Sequence, residues 1–116
     1  MSQHRKHRGY RSQAVQAAYL REHGFPYAEP TGAGRQGSDI LGTLGIDWEI
    51  AARRGFPVLE KMRQLQERRE DGKLGIILLR PDGMGEGSID RWPFIVTNAD
   101  GVDLLRAAGY GDPHDR

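Results

Sequence analysis

Residues 37–54 read GSDILGTLGIDWEIAARR, and the predicted arrangement of the other segments is built around them. We interpret it as two short strands around a turn at Leu44-Gly45, with a double arginine at its end. Asp39 lies at the start of the first strand and Glu49 lies within the second. The two acids are therefore predicted to lie on adjacent strands and to face one another.

The second of these strands has an apolar face and an acidic face, because successive side chains of a strand point to opposite sides. The apolar face carries Ile46, Trp48 and Ile50, and we expect it to pack on a core. The other face carries Asp47, Glu49 and Ala51. Carboxylates that converge from neighbouring strands suit a hard divalent cation such as Mg²⁺, with Mn²⁺ as a substitute.

The composition is that of one globular domain over residues 1–116. Apolar residues make up 37% and charged residues 28% of the chain, and the formal net charge is +1. The lack of cysteine excludes disulfides and zinc–thiolate sites. No apolar run approaches the roughly 18 residues that a membrane-spanning helix needs, and the N-terminus lacks the apolar middle of a signal peptide. We expect a cytoplasmic protein with no membrane partner.

The first eleven residues are basic and contain no acid. Such a segment is typical of a nucleic-acid contact or of a solubilising arm, and the sequence leaves both open. We predict flexible ends over residues 1–8 and 110–116. The candidate DNA-binding residues are Arg5, Lys6, Arg8, Arg11, Gln13, Arg35, Arg53 and Arg54.

The first third of the chain predicts a helix and then an edge strand. The helix runs from Gly9 to His23, with Ser12 as its N-cap and Gly24 as a left-handed C-cap. Residues 25–29 predict a short edge strand because prolines lie near both ends. Residues 32–37 match G-x-G-x-x-G, but a strand is predicted after them instead of a helix, which argues against a dinucleotide site. We interpret them as a loop whose amides approach a phosphate, or as a plain connecting turn.

A second helix is predicted with Pro57 at its first position, continuing through Arg69 and ending near Asp71-Gly72. Its predicted buried stripe consists of Val58, Leu59, Met62 and Leu65. Its charged residues, Lys61 and Arg68 among them, are interpreted as a solvated face.

The C-terminal half predicts two more strands and a last helix. Residues 73–80 form a nearly continuous apolar run, which predicts a central strand covered on both faces. Residues 81–88 predict a glycine-rich loop, and residues 91–97 a strand that Pro93 places at an edge. The last helix begins at Asn98 or Asp100 and ends at Gly109. Both tryptophans, Trp48 and Trp92, are predicted to pack in the interior.

The predicted order is helix, three strands, helix, two strands, helix. It is similar to the αβββαβ core of the PD-(D/E)XK nucleases, an α/β fold with a central mixed sheet flanked by helices. Those proteins carry an Asp and then Glu-x-Lys on the next strand, where this chain has Asp39 and Glu49-Ile50-Ala51. The chain most resembles the small Holliday-junction resolvases of archaea and bacteriophages, which share the Arg8-Gly9 step, the Gly24-Phe25 helix end and a Gly-rich loop before the Asp.

This resemblance implies a Mg²⁺-dependent, structure-selective endonuclease that cuts four-way DNA junctions by paired nicks as a homodimer. It implies Asp39, Glu49 and the Ile50 carbonyl as metal ligands, with the cation polarising the scissile phosphate and activating water. Thr31 and Gln64 take the positions of a loop hydroxyl and a helix glutamine near the active site. The strand at 92–96 and the last helix are candidates for the dimer surface, and a phage-encoded protein of this kind would work in the host cytoplasm.

Ala51 departs from the family, because a lysine there orients the attacking water and offsets charge on the phosphate. Its loss is expected to lower the rate roughly 10²–10⁴-fold, which leaves an inactive or weakly active enzyme. We favour an inactivating substitution in an otherwise intact nuclease. Alternatively, Arg53 or Arg54 supplies the charge, or the protein binds DNA without cutting it. A small RNA- or protein-binding module with solvated acids is the remaining alternative.

Overall fold

The computed structural model describes residues 3–32, 37–52 and 55–111, and of residues 3–8 it describes the helical backbone alone. Nine elements follow one another along these ranges. They are α1 (Gln3–Glu22), β1 (Glu29–Pro30), β2 (Ile40–Leu41), β3 (Ile46–Ala51), α2 (Val58–Arg68), β4 (Leu74–Leu79), a 3₁₀ helix (Glu86–Arg91), β5 (Phe94–Ile95) and α3 (Asn98–Ala107). The 3₁₀ helix aside, this order of helices and strands follows the predicted one.

A three-stranded mixed sheet forms the centre, in the order β3-β4-β5. β3 and β4 pair in parallel over six residue pairs, from Ile46–Leu74 to Ala51–Leu79. Parallel neighbours need a crossover connection, and α2 provides it. β5 is antiparallel to β4 and lies at an edge, as Pro93 predicted, whereas β1 and β2 form a separate antiparallel pair. The chain is therefore a mixed α/β protein, which confirms the predicted class.

The sheet is covered on both faces, as the apolar run at 73–80 predicted. One face packs against α1 and has Trp48, Ile50, Ile76 and Leu78 at its centre. The other face packs against α2 and buries Ala51, Leu65 and Ile77. The alternation predicted for β3 is confirmed, since its even-numbered apolar residues and Ala51 belong to different cores. Both tryptophans are buried.

Several predicted helix ends and contacts were wrong. α1 begins at Gln3, six residues before Gly9, so Ser12 lies inside the helix. The Ser12 side chain is fully buried, and its hydroxyl accepts a hydrogen bond from Arg80 Nη1 at 3.1 Å. On α2, Leu59 is 87% exposed and does not belong to the buried stripe. α3 is capped by neither predicted residue, because the Thr97 hydroxyl accepts from the Asp100 N–H.

The predicted edge strands were too long, and the loop predicted at 81–88 is irregular only over residues 81–85. Residues 25–28 turn before β1 begins at Glu29, and β5 is confined to Phe94–Ile95. The 3₁₀ helix begins at Glu86, within a segment that we expected to be irregular. Gly24 and Gly109 adopt the left-handed backbone predicted for helix ends, with φ of +101° and +93°. Within the described ranges, no helix is both long and apolar enough to cross a membrane.

We expect Gly42→Ala to destabilise the fold by at least about 2 kcal/mol, because a Cβ at this left-handed position would overlap the Tyr27 carbonyl oxygen. Gly45→Ala is the matched control. Its φ of +84° is nearly the same as the +82° of Gly42, but an added Cβ meets no atom within 4 Å. This control should lose about 1 kcal/mol. Urea unfolding measures both, and equal losses would contradict the close approach.

Candidate functional site

The candidate site is built at the outer edge of β3, the edge that faces away from β4. The Trp48 N–H donates to Ser38 Oγ at 2.9 Å, and the Ile50 N–H donates to Asp39 Oδ2 at 2.7 Å. The Asp39 N–H in turn donates to the Trp48 carbonyl at 2.9 Å. The backbone N–H groups at this edge of β3 therefore find their hydrogen-bond acceptors mainly in the Ser38 and Asp39 side chains.

This arrangement removes the Asp39 carboxyl partly from water. Burial raises its pKa from 3.8 to about 6, against the effect of the Ile50 hydrogen bond, which lowers the pKa. The charge of Glu49 raises the pKa further and that of Arg68 lowers it. Asp39 is therefore an acid that titrates close to neutral pH.

Arg68, near the C-terminal end of α2, reaches across to the acidic face of β3. Its Nη2 lies 2.8 Å from Asp47 Oδ1, and its Nη1 lies 3.0 Å from Glu49 Oε1. Nη2 also donates to the Trp48 carbonyl at 3.1 Å. Burial alone would lower the pKa of the guanidinium, but its hydrogen bonds and the charges of the two acids outweigh burial and raise the pKa. The interpretation of Arg68 as part of a solvated face was wrong.

The acids and Arg68 share one open cavity of about 680 Å³. Its lining residues are Gly37, Ser38, Asp39, Asp47, Glu49, Arg68, Glu70 and Lys73. The structure therefore brings Asp39 and Glu49 to one cavity, but not through the predicted hairpin, because Asp39 lies just before β2 and β2 pairs with β1 instead of β3.

The donor atoms of this cavity are the carboxylate and carbonyl oxygens that Mg²⁺ prefers. Ile50, the third predicted ligand, is buried in the core that packs against α1 and is not part of the cavity lining, although its N–H donates to Asp39 Oδ2. However, Asp39 Oδ2 already accepts from Ile50, and Arg68 binds Asp47 and Glu49 Oε1. Among the described residues, no group of three or more His, Cys, Asp or Glu side chains is arranged to hold a metal ion. Coordination through Glu49 Oε1 would require the Glu49–Arg68 pair to open, whereas coordination through Oε2 would not.

Three other predicted site residues lie outside the cavity lining. Ala51 is 1% exposed and packs against Leu65 and Ile77 in the second core. Gln64 is exposed on α2, and its Nε2 donates to Glu60 at 3.1 Å. Thr31 fixes the backbone of the segment that carries Asp39. Its hydroxyl donates to the Ser38 carbonyl at 2.5 Å, and its N–H donates to the Asp39 carbonyl at 3.0 Å.

The predicted DNA-binding residues are only partly described. Arg11 forms a bidentate ion pair with Glu86, in which Nε lies 2.7 Å from Oε2 and Nη2 lies 2.8 Å from Oε1. Gln13 Oε1 accepts from the Gly32 N–H at 3.3 Å and so connects α1 to the Gly-rich loop. The following lie outside the described part of the chain: Arg35, Arg53 and Arg54 entirely, and the side chains of Arg5, Lys6 and Arg8.

Sequence reasoning missed Arg68 and Lys73 as residues of the site, and it left Asp47 without a role. A signal for Arg68 was present, since it follows the buried Leu65 by three positions and residues three apart share a helix face. No such spacing marks Lys73, which enters the cavity because β4 begins beside β3.

Comparison of the chain with protein-family models, with curated proteins and with solved structures gives no match in any of the three. A function for the cavity must therefore be argued from its own chemistry.

We expect the pH dependence of stability to carry the signature of Asp39. Between about pH 4 and 6 the folded protein keeps a proton on Asp39 that the unfolded chain has lost, so this group's contribution to stability falls as pH rises. Asp39→Asn keeps an oxygen for the Ile50 N–H and carries no charge. It should exceed the wild type in stability by about 1–3 kcal/mol at pH 7.5, and the difference should shrink toward pH 4.

Urea unfolding at several pH values measures this effect, with Asp103→Asn on the exposed side of α3 as the control. A stability difference for Asp39→Asn that does not change with pH would contradict the burial of a charge at Asp39.

We expect Arg68→Ala to lower the free energy of unfolding by about 1–3 kcal/mol, because Asp47 loses its partner while its side chain is only 10% exposed. Arg63→Ala is the matched control on the same helix. Arg63 also contacts two acids, Glu60 and Glu67, but all three side chains are at least half exposed. Its loss should cost less than about 1 kcal/mol. Thermal or urea unfolding compares the two, and losses of equal size would count against a structural ion pair at Arg68.

Proposed function

We propose that this chain is a Mg²⁺-dependent endonuclease that acts on branched DNA, on a core like that of the restriction endonucleases. The observation that carries the proposal is the meeting of Asp39, Asp47, Glu49 and Arg68 in one open cavity at the edge of β3. Further support comes from the order of elements and from the parallel β3–β4 pair joined by α2. A cytoplasmic location belongs to the same proposal.

Asp39, Glu49 and the Ile50 carbonyl are the groups that would hold the cation, which when bound polarises the scissile phosphate and activates water. The chain itself fixes the position of Asp39. The Ile50 N–H holds one carboxyl oxygen, and Thr31 and Ser38 hold the backbone on either side of the acid. Because the pKa of Asp39 is raised to about 6, the site gains its full negative charge only above that pH.

Arg68 takes over the electrostatic role of the absent lysine in this proposal. Ala51 is buried under α2 with Leu65 and Ile77 and does not line the cavity. Arg68 already lies in the cavity, and a guanidinium presents several donors that match the oxygens of a phosphate. We assign it the task of offsetting charge on the scissile phosphate, in place of Arg53 or Arg54.

The second candidate is a DNA-binding protein on the same fold that does not cut. The observation that favours it is the closed pairing of Arg68 with both Asp47 and Glu49, which neutralises the acidic face without a metal ion.

Both candidates include a homodimer. α3 has no buried residue, and Val102, Leu104 and Leu105 on it are each 42% to 53% exposed, which provides an apolar surface for a second copy.

We expect the wild-type protein to nick a four-way junction in Mg²⁺ or Mn²⁺ and to leave a linear duplex of the same length intact. Glu49→Gln should lower the rate at least about 100-fold while junction binding in EDTA is kept. Arg68→Lys should keep more activity than Arg68→Ala. Gel assays of cleavage and binding measure these effects, with Arg63→Ala as the control for loss of an arginine on α2.

Binding of a cation is tested apart from cleavage by calorimetric titration of Mg²⁺ and Mn²⁺ into the wild type and Glu49→Gln. Tight junction binding without cleavage or cation binding would establish the second candidate. No binding to any DNA at low salt would overturn both candidates, because phosphate contacts are strongest there.

A further inference from the structure

A second groove adjoins the acidic cavity, beside the turn between β2 and β3. We call it the apolar groove; it has a volume of about 380 Å³, and its lining includes Tyr27, Ser38, Gly42, Leu44 and Lys73. Ser38 and Lys73 also line the acidic cavity, so the two lie side by side. A ligand that extends beyond the acidic cavity past Lys73 would enter the apolar groove.

The apolar groove displays two large side chains that the fold leaves in water. Tyr27 is 81% exposed, and Leu44, at the turn, is fully exposed. Single exposed apolar residues are common on protein surfaces. An aromatic ring and a leucine that line the same groove next to a charged cavity indicate a binding surface more specifically than a single exposed apolar residue does.

The backbone that carries Tyr27 is held in place. Ala28 is buried, its N–H donates to the Phe25 carbonyl at 3.1 Å, and its carbonyl accepts from Arg21 at 2.8 Å. Gly42 lies so close to the Tyr27 carbonyl that no side chain fits between them. The ring is therefore presented from a fixed position, which lowers the entropic cost of binding a ligand there.

We propose that the apolar groove binds an unstacked nucleobase of the DNA strand whose phosphate lies in the acidic cavity. Stacking on an exposed aromatic ring and contact with a protruding leucine are the ways in which proteins hold bases outside the helix. Lys73, between the two, meets the intervening backbone, and its 3.6 Å contact with Glu70 is an exposed ion pair that opens at little cost. This inference rests on the proposed nuclease function and names its substrate: DNA with an unpaired nucleotide beside the cut.

A peptide or a second copy of the chain fits this groove less well. Either one would cover Ser38 and Lys73 and so would narrow the entrance to the acidic cavity, which the proposed function needs open. A single nucleotide can occupy both the acidic cavity and the apolar groove, since one sugar joins its phosphate to its base.

The test compares binding of two duplexes in EDTA, one fully paired and one with a single unpaired thymidine at its centre. The wild type should bind the bulged duplex more tightly. Tyr27→Ala should weaken binding of the bulged duplex roughly 5- to 150-fold and change binding of the paired duplex less than about twofold. Tyr27→Phe should behave like the wild type, because the ring face does the stacking. Leu59→Ala is the control, since Leu59 is equally exposed but lies on α2.

Equal binding of the two duplexes by the wild type would overturn the inference, as would a loss in Tyr27→Ala that is the same for both. A wild-type dimer that Tyr27→Ala dissociates would overturn it in favour of a second copy in the groove. If the proposed nuclease function is wrong but the groove still binds a base, the bulge preference and its dependence on Tyr27 persist, and no cleavage follows when Mg²⁺ is added.

Discussion

The hydrogen bond from the Ile50 N–H to Asp39 Oδ2 is the interaction on which the rest of the site depends. The outer edge of β3 lies against a segment that is too short to pair with it as a strand. Backbone groups that leave water need partners, and here a serine hydroxyl and a carboxylate provide them. The requirements of the sheet edge thus bring an acid into a partly dehydrated position, with its pKa raised to about 6.

Arg68 balances the negative charges on the acidic face of β3. β3 carries Asp47 and Glu49 on the face that α2 covers, and two carboxylates facing a helix would repel each other without a cation between them. Arg68 provides that cation and also donates to the Trp48 carbonyl. Charges that are kept close together in this way destabilise a fold unless each is paired.

The sequence was a good guide wherever local pattern decides structure. Period-two alternation placed Trp48 and Ile50 on one core and Ala51 on the other, and the apolar run at 73–80 was recognised as the central strand. The glycines after α1 and α3 marked those helix ends correctly. Within the site, alternation along β3 placed Asp47 and Glu49 on one face, whereas Asp39 joins them through its side-chain contact with β3 and not through the strand pairing that was predicted.

What the sequence did not reveal depends on contacts between distant segments. Arg68 meets residues 19 and 21 positions earlier; its spacing from Leu65 indicates that it faces the sheet, but no local pattern identifies Asp47 and Glu49 as its partners. Ser12 resembled an N-cap because small hydroxyl residues favour that position. Its actual partner, Arg80, lies 68 residues away and could be identified only from the fold.

The weak attachment of α3 has a consequence for the dynamics of the chain. None of its residues is buried, although the Thr97 cap and the backbone ladder keep it helical. A ten-residue helix is marginal by itself in water. Opening this helix exposes little new apolar surface, and it therefore needs far less free energy than separating β3 from β4. Amide protons of α3 should exchange with solvent through local fluctuations, whereas those between β3 and β4 should wait for global unfolding.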